Sequence, residues 1–299
     1  MPRLIAAVIT ASMFAASAAL ADAPRVVTDV PPVHSLVASV MQGVGTPDLI
    51  INTGSSPHSH VMRPSEARAL QSADIVFWVG PELTPWLSEP ISVLSKQALV
   101  QEMLEVDGTV TLHFREDLTE DDHDGHDHEG IDPHAWLDPQ NGVVWLGAIA
   151  DVLANADPEN AVLYRKNAEI ATDEIKALSE TIAAALAAAG TVGFIVNHDA
   201  YQYFETRYGL QSSGSVTDGD AAPPGPAKVA ELAAMLEQNN IRCAVEETLV
   251  GRSIVKAITA GTDIEIIYVD PTGRGLETGP SLYPELLRRL GMGLADCGS

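Results

Sequence analysis

Short apolar runs alternating with amphipathic stretches set the rhythm of the first half of the chain. Arg25–Val30 reads as a strand, Pro32–Met41 as a helix, Asp48–Asn52 as a second strand and Pro64–Ser72 as a helix opened by its own proline. Asp74–Val79, "DIVFWV", is apolar after its first residue, as expected of a strand covered on both sheet faces. Strand, helix, strand, helix is the pattern of a parallel α/β sheet.

A very long helical signal then intervenes. Asp157 is placed to cap it and Pro158 suits its first position. No glycine or further proline interrupts Glu159–Ala189, and Gly190 supplies the stop. At 1.5 Å per residue that stretch extends about 46 Å, more than one small domain needs, so it is expected to bridge two domains at a fixed separation. Alternation resumes beyond it. Val192–Val196, Gly214–Val216, Ile241–Glu246 and Ile264–Val269 read as strands; Tyr201–Tyr208, Ala227–Gln238, Arg252–Ala260 and Ser281–Leu290 read as helices. The expected fold class is α/β, with two lobes, each a parallel sheet flanked by helices, joined by one long rigid bridging helix. The corresponding boundaries are 22–156 for the N-terminal lobe, 157–190 for the bridge and 191–299 for the C-terminal lobe. A total of 299 residues is also too many for one ordinary core.

Residues 1–21 stand outside this pattern. Arg3 makes a short basic start, Leu4–Leu20 is an alanine-rich apolar run, and Ala19-Leu20-Ala21 has the small-x-small form of a signal-peptidase site. The run is barely long enough to span a bilayer and no stop-transfer charges follow it, so export with cleavage after Ala21 is expected. No cysteine lies near that site, which argues against a lipid anchor; the mature protein is expected to be a free periplasmic monomer. Cleavage removes Arg3 and no acid, moving the formal charge from −24 to −25. So acidic a chain repels phosphate, which disfavours nucleic acid and anionic lipid surfaces and is compatible with cations. Solubility alone would explain the charge as well.

Cys243 and Cys297 are the two cysteines. An even pair in an oxidising compartment suggests a disulfide, which in the chain-entropy picture stabilises the fold by about 4 kcal/mol. The plainer reading is two unpaired thiols, one buried and one near a frayed end.

The nine histidines fall into classes. His58 follows the second strand, His134 lies in the compact turn "DPHAWLDP", and His198 comes directly after "VGFIVN"; Asp270 follows "IEIIYV". Each stands at the carboxyl end of a strand or in a structured turn, where open α/β sheets bind ligands. Three imidazoles and a carboxylate make a borderline-soft, four-coordinate set suited to Zn²⁺; Mn²⁺ and Fe²⁺ prefer more oxygen and higher coordination. A lone histidine at a strand end is more often a satisfied polar residue than a ligand, so the weight lies in the recurrence.

Four segments together resemble a known family. "SSPHSHVMRPSEARALQSADIVFWVGPELTPWL", "DPHAWLDPQN", "NHDAYQYFETRYGL" and "YVDPTGRG" are similar, in order, to segments of the substrate-binding proteins of bacterial zinc and manganese ABC importers. The similarity spans nearly all of the mature chain. It implies two α/β lobes joined by one long helix, a metal held between them, and His58, His134, His198 and Asp270 on the ligand positions. It also implies delivery of the ion to a membrane ABC permease. Manganese-type members tend to carry glutamate where this chain has His198, so histidine favours zinc, and the two cysteines look like the zinc branch's pair. One departure is His60, where the family often has tyrosine or another bulky residue; it reads as an auxiliary ligand or, preferably, a surface residue.

The remaining histidines are weighed separately. His113, His123, His126 and His128 belong to a segment with nine acids between Glu116 and Asp132, too polar to order itself by burial. Its plain reading is a solvated charged loop. The sharper one, which the resemblance supports, is a weak secondary metal tract involving His123, His126 and His128. His34, on an apolar helix start, reads as structural. For an enzyme the signals are poor: there is no His-Glu-x-x-His helix, no Gly-x-Ser-x-Gly elbow and no phosphate-binding glycine motif at a strand–helix junction. Glu246 or Glu247 is available as a general base, but three His and one Asp would close the tetrahedron that a hydrolytic zinc must leave open. A surface adhesin on the same fold would want an anchor. The reading that remains is a zinc carrier, with a manganese or iron carrier of the same family as its nearest alternative.

Overall fold

The computed structural model describes residues 23–52, 56–115, 130–191, 193–217, 225–238, 241–247 and 252–298. The expected signal segment and His123, His126 and His128 lie outside these residues. Among them, no helix is long and apolar enough to cross a membrane.

Two parallel sheets organise the chain. In the first half, β1 (Val26–Thr28), β2 (Asp48–Leu49), β3 (Ile75–Trp78) and β4 (Leu99–Glu102) pair in the order β2-β1-β3-β4, with α1 (Pro31–Val40), α2 (Pro64–Ser72) and α3 (Pro85–Leu94) as crossovers. All four residues of β3 are buried, as its unbroken apolar run requires. Two helices, α4 (Pro139–Ala156) and α5 (Ala161–Ala189), then run before the second sheet. That sheet comprises β5 (Phe194–Val196), β6 (Cys243–Glu246) and β7 (Glu265–Tyr268), in the order β5-β6-β7. Around it lie α6 (Gln202–Tyr208), α7 (Pro226–Gln238), α8 (Arg252–Ile258) and α9 (Leu282–Gly298). The expected strand at 214–216 is a single parallel bridge from Ser215 to Val196.

The long helical signal resolves differently from its sequence reading. α5 begins at Ala161 rather than Glu159, and Asp157 closes α4 instead of capping α5. The Asp157 carboxylate accepts hydrogen bonds from Asn160 Nδ2 (2.8 Å) and from the buried Tyr164 hydroxyl (2.9 Å), forming the corner between the two helices. The Asp-Pro pair that does start a helix is Asp138-Pro139. Asp138 accepts from Gln140 N at 2.8 Å, and Pro139 takes the first turn. At 29 residues, α5 still extends about 43 Å.

Residues from both sheets share one hydrophobic core. It runs from Val26, Phe77 and Trp78 through Trp136, Trp145, Tyr164 and Ile182 to Phe194, Val245, Tyr283 and Leu290. A smaller cluster, including Ile195, Ala244, Leu232 and Val255, covers the other face of the second sheet. Alternation along the short strands thus sends Phe194 and Val196 to the shared core and Ile195 to the satellite. The halves are also sewn together by hydrogen bonds. Tyr283 Oη donates to Trp136 O (2.7 Å), Ser35 Oγ to Pro280 O (2.9 Å), and Arg207 grips Asp138 with two contacts of 2.6 Å. Gly142 permits the closest approach, since a methyl there would meet Tyr283 Cε1 at 2.7 Å.

Two buried constraints yield predictions. Asp29, directly after β1, accepts from Val30 N and Val79 N, both at 2.7 Å, and so ties the ends of β1 and β3. Burial outweighs these donors and pushes its carboxyl up from the ordinary 3.8 to about 7. The folded chain therefore holds this proton at pH values where the unfolded chain has lost it. Its contribution to stability is complete below about 3.8 and is lost as pH rises through about 7. Chemical denaturation across that window is expected to show a flatter pH profile for Asp29→Asn than for the parent, and a stability lower in acid by about 1–3 kcal/mol for the poorer acceptor. Separately, Cys243 and Cys297 form a disulfide that spans 54 residues and ties β6 to α9. The Cys243→Ser/Cys297→Ser double variant is expected to lose about 4 kcal/mol in urea unfolding.

Candidate metal centre

Parallel strands end on one edge of their sheet, and that is where the chemistry gathers. His58 sits in a single 3₁₀ turn, Pro57–Ser59, beyond β2, where Ser56 Oγ accepts from His58 N at 3.3 Å. His134 is the residue before the 3₁₀ turn Ala135–Leu137. His198 lies two residues beyond β5, and Asp270 two beyond β7. The ring centroids of His58 and His134 are 5.8 Å apart, and those of His134 and His198 are 5.4 Å apart. Two imidazoles sharing an ion at about 2.1 Å from each nitrogen stand with their centroids roughly 5–6 Å apart. His134 is thus the middle of three gathered rings, contributed by segments as distant in sequence as residues 58 and 198.

Two of the rings are fixed from behind. Asp132 Oδ1 accepts from His134 Nδ1 (2.8 Å) and from His134 N (3.0 Å). On the other side, the Glu247 carboxylate, one residue beyond β6, accepts from His198 Nδ1 at 2.8 Å. Glu247 is in turn in contact with Tyr201 Oη at 3.1 Å, and that hydroxyl also reaches Val269 O at 2.9 Å, next to Asp270. Holding the Nδ1 proton toward a carboxylate leaves the lone pair on Nε2, the tautomer a metal-binding imidazole needs. The His134 and His198 side chains are only 6% and 7% exposed.

Asp270 is not drawn into this cluster. Its Oδ1 accepts from Thr272 N (2.8 Å) and Thr272 Oγ1, and its Oδ2 faces Arg274 Nε at 3.4 Å. Among the described residues, as the side chains stand, no three His, Cys, Asp or Glu groups are spaced to share one ion. The imidazoles thus neighbour one another in two pairs, His58 with His134 and His134 with His198, and the carboxylate is turned onto its own loop.

His60 corrects its reading as a surface residue. Its side chain is 4% exposed, its Nε2 lies 2.9 Å from Glu66 Oε2, and its ring packs 5.3 Å from Trp86. Glu66 also accepts from Arg63 N at 2.6 Å, and Trp86 Nε1 donates to Pro57 O at 2.8 Å. These contacts brace the turn that carries His58. His34 is structural as expected, buried with Nε2 against Pro47 O at 3.1 Å. His113 is exposed and closes the root of the acidic segment, its Nδ1 3.2 Å from Gly130 O, with an antiparallel bridge to Ile131. Beside it, Arg115 pairs with Glu205 (2.6 Å) and with Asp199, the neighbour of His198.

Comparison with known proteins identifies the family of the chain. Residues 26–297 match the family model described as ZnuA, zinc-uptake complex component A, periplasmic. The high-affinity zinc uptake system protein ZnuA of Paracoccus denitrificans is 40% identical over 316 aligned positions, covering 95% of this chain and 94% of that protein. Its counterpart in Brucella abortus is 35% identical, covering 96% and 98% respectively. A crystal structure of ZnuA superposes with a TM-score of 0.79 at 20% identity, covering 93% of this chain and all of the other. The chain belongs to the ZnuA family of periplasmic zinc-uptake components.

Proposed function

We propose that this protein captures Zn²⁺ in the periplasm and delivers it to an ABC permease, holding the ion between an N-terminal lobe (22–156) and a C-terminal lobe (191–299). The observation that carries the reading is the convergence of His58, His134 and His198, with two of the rings pinned through Nδ1 by carboxylates. Imidazole nitrogen is a good donor for zinc, and hard, oxygen-preferring Mn²⁺ gains less from it. Asp270 is the proposed fourth ligand, reached by a small turn of its side chain away from Thr272 and Arg274. Zinc here is cargo, so nothing in the reading calls for catalysis. Glu247, one of the two candidate general bases of a hydrolase, is committed to His198 and Tyr201, which supports a carrier over an enzyme. Cleavage after Ala21 and a monomeric, unanchored mature protein complete the proposal.

The test is metal analysis of the mature protein after dialysis against equal trace zinc and manganese. One zinc per chain is expected, lost in His198→Ala; retained manganese or no retained metal would sink the reading. Because each imidazole binds only when neutral, retention is expected to fall steadily as the dialysis buffer is made acidic.

The carboxylate behind His198 gives a second expectation. Glu247→Ala should weaken zinc binding by about 10–100-fold without removing a ligand, and Tyr201→Phe should do so less. Competition with a chromogenic chelator would measure both, and unchanged affinities would show that the ring needs no such support.

A further inference from the structure

The Asp270 loop contains a cation of its own. The Arg274 side chain is 16% exposed, and its Nε stands 3.4 Å from Asp270 Oδ2. A tight turn puts it there. Gly273 N donates to Asp270 O at 2.9 Å, and Gly273 adopts φ 79, a conformation that side-chain-bearing residues rarely take. A Cβ at this position would also meet Leu282 Cδ2 at 2.9 Å. The chain is therefore folded back so that the guanidinium lies against the second oxygen of the carboxylate.

The first oxygen is held separately. Thr272 donates to Oδ1 through both its amide and its hydroxyl, and Arg274 reaches that oxygen only through its backbone N–H at 3.4 Å, so the aim of the carboxylate does not depend on the Arg274 side chain. What the arginine adds is charge. A guanidinium is a cation, and in a site largely withdrawn from water its field is weakly screened. A dication approaching Oδ2 meets a like charge 3.4 Å from that oxygen.

We infer that Arg274 is an affinity-setting residue, an internal monovalent cation that occupies Asp270 in the metal-free protein and opposes the zinc ion for that carboxylate. The inference rests on the zinc-carrier reading with Asp270 as a ligand. Because the guanidinium is tethered four residues from Asp270, the exchange is intramolecular. When the ion leaves, the carboxylate is re-paired at once, which lowers the cost of release. A carrier that must hand on its cargo gains from such a device; a protein selected only for retention would not.

The experiment uses the mature protein and three variants, Arg274→Gln, Arg274→Lys and Asp270→Asn, each checked for native circular dichroism. Zinc affinity is read by chelator competition, and release by stopped flow into excess chelator. Arg274→Gln is expected to bind zinc at least about tenfold more tightly and to release it correspondingly more slowly, because the opposing charge is gone. Arg274→Lys keeps the charge and is expected to stay near the parent. Asp270→Asn is expected to weaken binding. If Arg274→Gln binds no tighter while Asp270→Asn weakens binding, the inference is overturned and the ligand reading stands. An equal gain in Arg274→Lys overturns it too, since charge would not be the cause. If Asp270→Asn binds like the parent, Asp270 is not a ligand and the inference falls with that assignment.

Discussion

The placement of Trp136 is the constraint on which the rest of this structure depends. Its ring is fully buried and packs 5.3 Å from His134. Its indole N–H donates to Pro271 O at 2.8 Å, and its own carbonyl accepts from Tyr283 Oη. One residue thus fixes the middle imidazole, the loop that follows β7 and the helix that closes the chain. A large aromatic group with a single donor suits this role, since its packing is strong and leaving that donor without a partner would cost about 1–3 kcal/mol. Around it the two sheets are joined by a continuous core and by side chains crossing from one half to the other. A hinge needs an interface that can part cheaply, and this one cannot.

The centre is built from strand ends because burial forces that division. Strands covered on both faces are apolar and contribute little but position. Each parallel strand delivers its next residues to the same edge of its sheet, so His198, Glu247 and Asp270 follow β5, β6 and β7 at one end of the second sheet. The polar residues set there are organised in pairs, Asp132 behind His134, Glu247 behind His198 and Glu66 beside His60. Each carboxylate gives an imidazole a direction that packing alone would leave open.

Much of this was legible in the sequence, for identifiable reasons. Strands such as Ile75–Trp78 announce themselves because a run of large apolar residues has few other places to go. The histidines after β2 and β5 could be picked out by their position, since position at a strand end is local information. The disulfide followed from a pair of cysteines in an exported chain. Helix α4 escaped because Asp157-Pro158 drew the start signal that belonged to Asp138-Pro139; the same dipeptide closes one helix and opens another, and only packing against Tyr164 and Arg207 decides which. His60 was misjudged because the ring that covers it, Trp86, lies on the next helix but one. Asp132 was within reach, two residues from His134, whereas Glu247 is 49 residues from His198 and nothing local connects them. The orientation of Asp270 toward Thr272 is a rotamer choice, which no pattern of residue types encodes.

Setting the proposed ligands in loops and turns would also separate two traits that evolution acts upon. A crystal structure sharing only 20% of its residues with this chain keeps the same backbone plan, so the buried scaffold drifts widely without losing its shape. The loops can then be rewritten on their own schedule. On the proposed ligand reading, exchanging His198 for a carboxylate, or altering the cation beside Asp270, would retune which ion is preferred and how readily it departs. On that reading, metal preference in this architecture would be inherited separately from stability, and a lineage entering a habitat with different trace metals would adapt without refolding its protein.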